Sequence, residues 1–272
     1  MAAAALGILV LTSSGGNGDA APADVAVVEP APSPAATGEA LAQLGIDTAG
    51  EEVTVDAEFG ERVRAYLLEN PEVIFEAVAV FEQRNADAQA DMSRELLEAN
   101  ADELFNDGHS WVGGNPEGDI TLVEFVDYRC GFCQRALDEV LAVVEADPGV
   151  RLIMKEFPIL GPESELSSRF AISVLNLGGP DAYAAVHYAL LRHDGAITPE
   201  FLGDLATEQD LDFEAVSAEM ESEAVTQVIA ENRALAQRLQ ISGTPTFVME
   251  DEMIRGFVEA EDLLELAASL RE

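Results

Sequence analysis

An α/β fold is predicted by three observations. After the turn at Gly113-Gly114-Asn115-Pro116, the run Ile120 to Val126 is mostly apolar and β-branched, as a buried strand is. A helical period follows through Gln134 to Glu145, and a second apolar run covers Val150 to Phe157. Late in the chain, Thr246 to Met249 and Met253 to Phe257 flank an Asp251-Glu252 turn ahead of a helix over Ala260 to Leu270. Between the second and third strands, Glu163 to Gln240 is helical in period, broken at Gly178-Gly179-Pro180, Gly195 and Asp210. The predicted order over residues 110–272 is β, α, β, a helical insert at about 160–240, β, β, α.

The N-terminal part is of a different kind. Ala2 to Leu11 is apolar for about 10 positions, half the roughly 20 needed to span a bilayer. We read residues 1–20 as an export signal or its remnant, although no Lys or Arg precedes Arg62, so the basic leader is missing and the start is truncated or misassigned. The other reading is a frayed apolar terminus. Residues 21–56, rich in Ala, Gly, Pro and acid, with Pro22, Pro30, Pro32 and Pro34, read as a flexible spacer. From 57 to 107 the period is helical. Phe59, Val63, Tyr66 and Leu67 share one face, Asn70-Pro71 supplies a capping residue and a first-turn proline, and a second helix begins there. Along it Ile74, Val78, Phe81, Asn85, Ala88 and Met92 recur at 3.5-residue spacing, the seam of a coiled coil in which Asn85 fixes register. Self-association through this seam is expected. The alternative is a helix lying back on its own domain.

Charge narrows the function classes. The 272 residues carry 52 Asp and Glu against 14 Lys and Arg, a net charge of −38, while 48% are hydrophobic, so a folded body lies under a negative shell. Such a surface repels phosphate backbones and anionic lipid, which excludes general nucleic-acid and membrane-surface binding. All the cations but Lys155 are Arg, a composition that suits a salt-rich medium.

The only cysteines form Cys130-Gly131-Phe132-Cys133, where a strand hands over to a helix. At this spacing Cys130 sits at the helix N-terminus near unpaired N–H groups, and Cys133 lies one turn further in. The helix dipole and the flanking Arg129 and Arg135 favour a thiolate at Cys130, while Asp127 and the acidic shell oppose it. Zinc would need four ligands, and His109, His187 and His193 show no ligand spacing, so no metal site is expected. A purely structural disulfide closing so short a loop would gain little chain entropy.

With these residues in view, the chain resembles the DsbA family of thioredoxin-fold oxidoreductases. The strand Thr121-Leu122-Val123-Glu124-Phe125-Val126-Asp127-Tyr128 leading into Cys-Gly-Phe-Cys carries the resemblance, together with Ile241-Ser242-Gly243-Thr244-Pro245-Thr246-Phe247-Val248. Residues 59 to 107, notably Tyr66-Leu67-Leu68-Glu69-Asn70-Pro71-Glu72-Val73-Ile74, are similar to the N-terminal region of ScsC-like proteins, some of which trimerise through it and act as disulfide isomerases. The resemblance implies a thioredoxin-like domain with a helical insertion, using a redox-active cysteine pair and no cofactor. Cys130 would attack and Cys133 resolve. It further implies a cis Thr244-Pro245 bond facing the pair, with Gly131 and Phe132 lining a substrate site, and a buried Glu124 able to exchange a proton with Cys133. Lys155 would add positive potential. Where strongly oxidising members carry a His beside the second Cys, this chain has Phe132, so its disulfide should be less oxidising.

The expected protein is an exported, periplasmic thiol:disulfide interchange enzyme, an isomerase or reductase of protein disulfides, trimeric, served by a membrane redox partner. A DsbA-type dithiol oxidase, a Cu(I)-binding protein of copper tolerance, and a non-catalytic adaptor docking through acidic helices are the alternatives.

Overall fold

A computed structural model describes residues 56–272. The apolar segment at 1–20 and all but the last residue of the spacer at 21–56 lie outside them. The described residues fall into two units, 56–69 and 70–272. In the first, the described element is helix α1 (Ala57–Glu69), which buries no residue and exposes Phe59, Val63, Tyr66 and Leu68.

The second unit opens with α2 (Glu72–Ala99) and α3 (Ala101–Phe105). Pro71 itself, not Asn70, occupies the position before α2, and the Asn70 carbonyl accepts the Val73 N–H at 3.2 Å. The five strands are β1 (Trp111–Gly114), β2 (Ile120–Val126), β3 (Val150–Glu156), β4 (Thr246–Met249) and β5 (Glu252–Arg255). Helix α4 (Gly131–Ala146) crosses from β2 to the parallel β3, and α5 (Pro162–Leu191), α6 (Pro199–Glu208), α7 (Phe213–Met220) and α8 (Glu223–Arg238) form the insert. Helix α9 (Ala260–Ser269) closes the chain. Sheet order is β1-β3-β2-β4-β5, with every pairing except β2–β3 antiparallel.

Strand β2 is central and covered on both faces, which explains its nearly unbroken apolar run. Side chains alternate across the sheet. Leu122 and Val126 enter a large cluster with Cys133, Leu137 and Phe170 of α4 and α5, while Val123 and Phe125 enter a second cluster with Leu97, Leu104 and Leu235. The same alternation puts Met154 of β3 in the first cluster and Ile153 in the second. Pro162 and Pro199 sit in first helical turns, and Thr198, Asp212 and Ser222 cap α6, α7 and α8 through their side chains. Gly179, at φ 82°, breaks α5 where the Gly-Gly-Pro signal falls, and the Pro180 carbonyl beyond it accepts the Trp111 indole N–H at 2.9 Å.

Three expectations change. Gly113 and Gly114, read as the first half of a turn, instead end an edge strand, Trp111–Gly114, paired with β3, and the chain turns only at Gly114, at φ 63°. The hairpin turn falls at Glu250-Asp251, one residue early, with Glu250 at φ 52°. The segment expected to self-associate, 57–107, includes core residues of the domain at its C-terminal end. Leu97 and Leu104 are core residues of the second cluster, and Arg94 of α2 binds Asp251 at 2.9 Å and Glu252 at 2.5 Å. The solvent-facing part of α2 runs to about Met92, with Ile74, Val78, Phe81, Asn85, Ala88 and Met92 all exposed, as is Phe75 at 75%. No helix of the described residues is long and apolar enough to cross a membrane.

Candidate active site

Strand β2 delivers the chain to Asp127, whose buried carboxylate accepts the N–H groups of Arg129 (2.8 Å), Ile159 (2.7 Å) and Leu160 (3.0 Å). Its charge is spent on this loop. The turn it forms places Cys130 at the N-cap of α4 with extended backbone, ahead of Gly131, Phe132 and Cys133. Opposite stands the cis Thr244-Pro245 bond, and the Cys130 sulfur lies 3.1 Å from the Thr244 carbonyl oxygen, to which it donates when protonated. The backbone of Thr244 is thereby next to the sulfur, where an incoming extended chain would pair.

The two thiols differ strongly. Cys130 is 6% exposed and Cys133 0%. A hydrogen bond from the Cys133 thiol, with others from the Thr244 side of the site and from the N–H groups of Cys133 and Phe132, brings Cys130 down to about 5 against the pull of burial. Burial pushes Cys133 far above the ordinary thiol range, and its bond to Cys130 and the nearby Glu124 charge add to this. Chemically, one sulfur is a thiolate at neutral pH and the other holds its proton until something removes it.

Glu124 points from β2 toward α4, as the strand alternation requires, and is 2% exposed with its Oε1 lacking a hydrogen-bond partner. Burial raises it to about 8, with the charges of Cys130 and Glu156 contributing. Phe132 is 54% exposed, and the Arg135 guanidinium lies over its ring at 4.4 Å and over Phe257 at 5.7 Å. A side chain at Gly131 would meet nothing within 4 Å.

Two charges read as belonging to the site are directed elsewhere. Arg129 turns to Glu163 (3.1 Å) and the carbonyls of His193 (3.3 Å) and Gly195 (3.1 Å), tying the active-site loop to the insert. Lys155 lies opposite Phe125 in the β2–β3 register and so projects to the other face, where Asp107 and the Glu103 carbonyl hold it fully buried. The strand parity that brings Glu124 to the cysteines takes Lys155 away from them. Sequence reasoning missed Glu156, the β3 residue on the Glu124 face. Its Oε1 accepts the Tyr128 hydroxyl at 2.7 Å and the Tyr183 hydroxyl at 2.6 Å, and His187 Nδ1 lies 3.0 Å from the Tyr128 oxygen. An acid closing an apolar strand was the available signal. Among the described residues no group of three or more His, Cys, Asp or Glu side chains is arranged to hold a metal.

A family model described as the DSBA-like thioredoxin domain matches residues 121–268. The chain belongs to that family. Its domain is accordingly a thiol:disulfide oxidoreductase of the DsbA type, and a second model, described as the copper resistance protein ScsC N-terminal domain, matches residues 56–88. A thioredoxin-like oxidoreductase from Silicibacter pomeroyi DSS-3 is 44% identical, with 62% of this chain and 96% of that chain covered at a TM-score of 0.58. Proteus mirabilis ScsC in a compact conformation is 27% identical, with 79% and 97% covered at 0.59. Disulfide bond formation protein D of Bacillus subtilis (strain 168) is 24% identical over 164 residues, 57% of this chain and 73% of that protein. The chain also matches Na(+)/H(+) antiporters of two Salinispora species, of which it spans 23% of the length.

Proposed function

We propose that the protein is an exported disulfide isomerase or reductase of protein disulfides, working as a self-associated assembly. The observation that carries this reading is Phe132 beside Cys133: the ring is exposed and offers the Cys130 thiolate at the helix N-cap neither charge nor a hydrogen bond, which favours a less oxidising pair. A thiolate so placed is ionised at neutral pH yet remains a reasonable nucleophile and a reasonable leaving group, which repeated attack and release requires. The exposed Phe132 ring offers apolar contact to an unfolded substrate beside the reacting sulfur.

In the mechanism, the Cys130 thiolate attacks a substrate disulfide, one substrate sulfur leaves as thiolate, and a mixed disulfide forms. Rearrangement within the substrate expels Cys130 unchanged, which is isomerisation. Alternatively Cys133 gives its proton to Glu124 and attacks the Cys130 sulfur, leaving an enzyme disulfide and a reduced substrate. Glu124 suits this timing. The Cys130 charge that raises it disappears in the mixed disulfide, so the carboxyl ionises more readily and is free to accept a proton when Cys133 must be deprotonated. Thr244 and Pro245, with Gly131 and Phe132, form the substrate-side wall.

The seam at Ile74, Val78, Phe81, Asn85, Ala88 and Met92 is the proposed trimer contact. Its exposure along α2 and the ScsC N-terminal model over 56–88 support it. Several catalytic domains around one stalk would hold a misfolded substrate through repeated encounters. The family likeness supports a periplasmic location and a membrane redox partner. The deciding experiment is refolding of a substrate with scrambled disulfides, with light scattering on the same samples. The Ile74→Gln, Val78→Gln, Phe81→Gln variant should be monomeric and lose isomerase turnover while keeping dithiol reductase activity; a monomeric wild type, or full isomerase activity in the variant, contradicts the reading.

A further inference from the structure

Glu124 and Glu156 are two buried carboxyls on adjacent strands, on one face of the sheet, next to the cysteine pair. Glu156 is 3% exposed. The groups facing it come from several elements: Tyr128 and Asp127 from the β2–α4 loop, Tyr183 and Ser168 from α5, and Glu124 from β2. His187 of α5 stands behind Tyr128, and Asn232 of α8 holds the Glu156 backbone carbonyl at 3.1 Å. Glu124 faces Cys130 and Cys133 of α4. No basic side chain is among the groups that set either carboxyl's protonation, since Lys155 is on the opposite face and the buried His187 is held neutral, at about 3, by desolvation.

The two acids have unequal support. Each carboxyl has one oxygen without a partner, but Glu156 receives two phenol protons on its Oε1, which favours its ionised form. Two like charges without a counter-ion do not both ionise freely, so the better supported one takes the charge first. We infer that Glu156 is a positioning residue for proton transfer at Cys133: its charge, fixed by Tyr128 and Tyr183, determines when the Glu124 carboxyl carries a proton. The ordering agrees with the raised positions of both groups, about 7 for Glu156 and about 8 for Glu124, each chiefly from burial. As pH rises in the reduced enzyme, Glu156 therefore ionises first and the last proton of the pair stays on Glu124. This deepens the proposed function and rests on its assignment of Glu124 as the acceptor of the Cys133 proton.

The test uses the reduced full-length chain and 5,5′-dithiobis(2-nitrobenzoate), followed by stopped flow at 412 nm. Cys130 attack releases one thionitrobenzoate and leaves a mixed disulfide. Cys133 then passes its proton to Glu124, bonds to the Cys130 sulfur and releases the second. In Glu156→Gln, which keeps an acceptor for both tyrosines, the pH midpoint of the second phase should move down by about one unit, while the first phase is unchanged. In Glu124→Gln the midpoint should vanish, and adding Glu156→Gln should change nothing more. A second phase in Glu156→Gln that superimposes on wild type, with thermal unfolding showing a folded protein, overturns the inference alone. A midpoint that survives in Glu124→Gln instead removes Glu124 as the acceptor. A shift by Glu156→Gln that persists in the Glu124→Gln background overturns action through Glu124.

Discussion

Replacing Glu124 by Gln should make the reduced protein more stable, by an amount that grows with pH. The carboxyl lies at about 8 in the folded chain against an ordinary 4.5. Between those values the folded state binds more protons than the unfolded state, so the residue lowers stability as pH rises and stops doing so above about 8. At 1.36 kcal/mol per unit, the interval from pH 5.5 to 8 amounts to about 3 kcal/mol. The amide has its own cost in that pocket, because one carboxyl oxygen already lacks a partner, but this cost does not depend on pH. Groups distant from Glu124 cancel in the difference, while Cys130 and Glu156, which interact with it, trim the effect. Urea unfolding of wild type and Glu124→Gln at pH 5.5 and 8.5 in excess reductant measures it. The stability difference should move in favour of the variant by about 2–3 kcal/mol across the interval. A pH-independent difference would show that Glu124 is ionised at little cost in the folded protein, and the proton-acceptor argument would fall with it.

Further outcomes follow from the same contacts. Cys133→Ser should attack normally but accumulate mixed disulfides, seen as substrate adducts on non-reducing gels, while Cys130→Ser should form none. Asp107→Ala should cost about 3 kcal/mol or more in urea unfolding, because it leaves the buried Lys155 ammonium without its anion. The same pair adds an acid limit to stability. Although burial opposes it, bonds from His109, Lys155 and Ser110 hold Asp107 well below the usual carboxylate range, so its contribution persists above that range and is lost only as pH falls through it. Removing residues 1–88 should leave a cooperative thermal transition, whereas removal to 107 should abolish it by deleting Leu97, Leu104 and Asp107.

What could be read in the chain was whatever local chemistry decides. The β2 run, the cysteine spacing and the proline-capped helices each carry their conformation in a few adjacent residues, and so the fold class and the place of Cys130 on a helix N-terminus were legible. Strand parity was available too. Applied to Glu124 it points correctly to the α4 face, and applied to β3 it would have turned Lys155 away and Glu156 toward the site. Nothing local marks Tyr183 as a partner of Glu156, since the contact joins residues 27 positions apart through the packing of α5. The boundary at 107 misled for a related reason: the helical period of α2 continues from exposed Ile74 to buried Leu97, and only the tertiary contact with the sheet separates the two halves.

The central claim is the division of labour between the two thiols. Its most direct measurement is the rate of iodoacetamide alkylation of the reduced full-length protein from pH 4 to 10, with the labelled cysteine identified by mass spectrometry. Cys130 should be the modified residue, with a midpoint near pH 5, and Cys133 should stay unlabelled through neutral pH. Label on Cys133 ahead of Cys130, or a Cys130 midpoint in the ordinary thiol range near 9, would contradict the account.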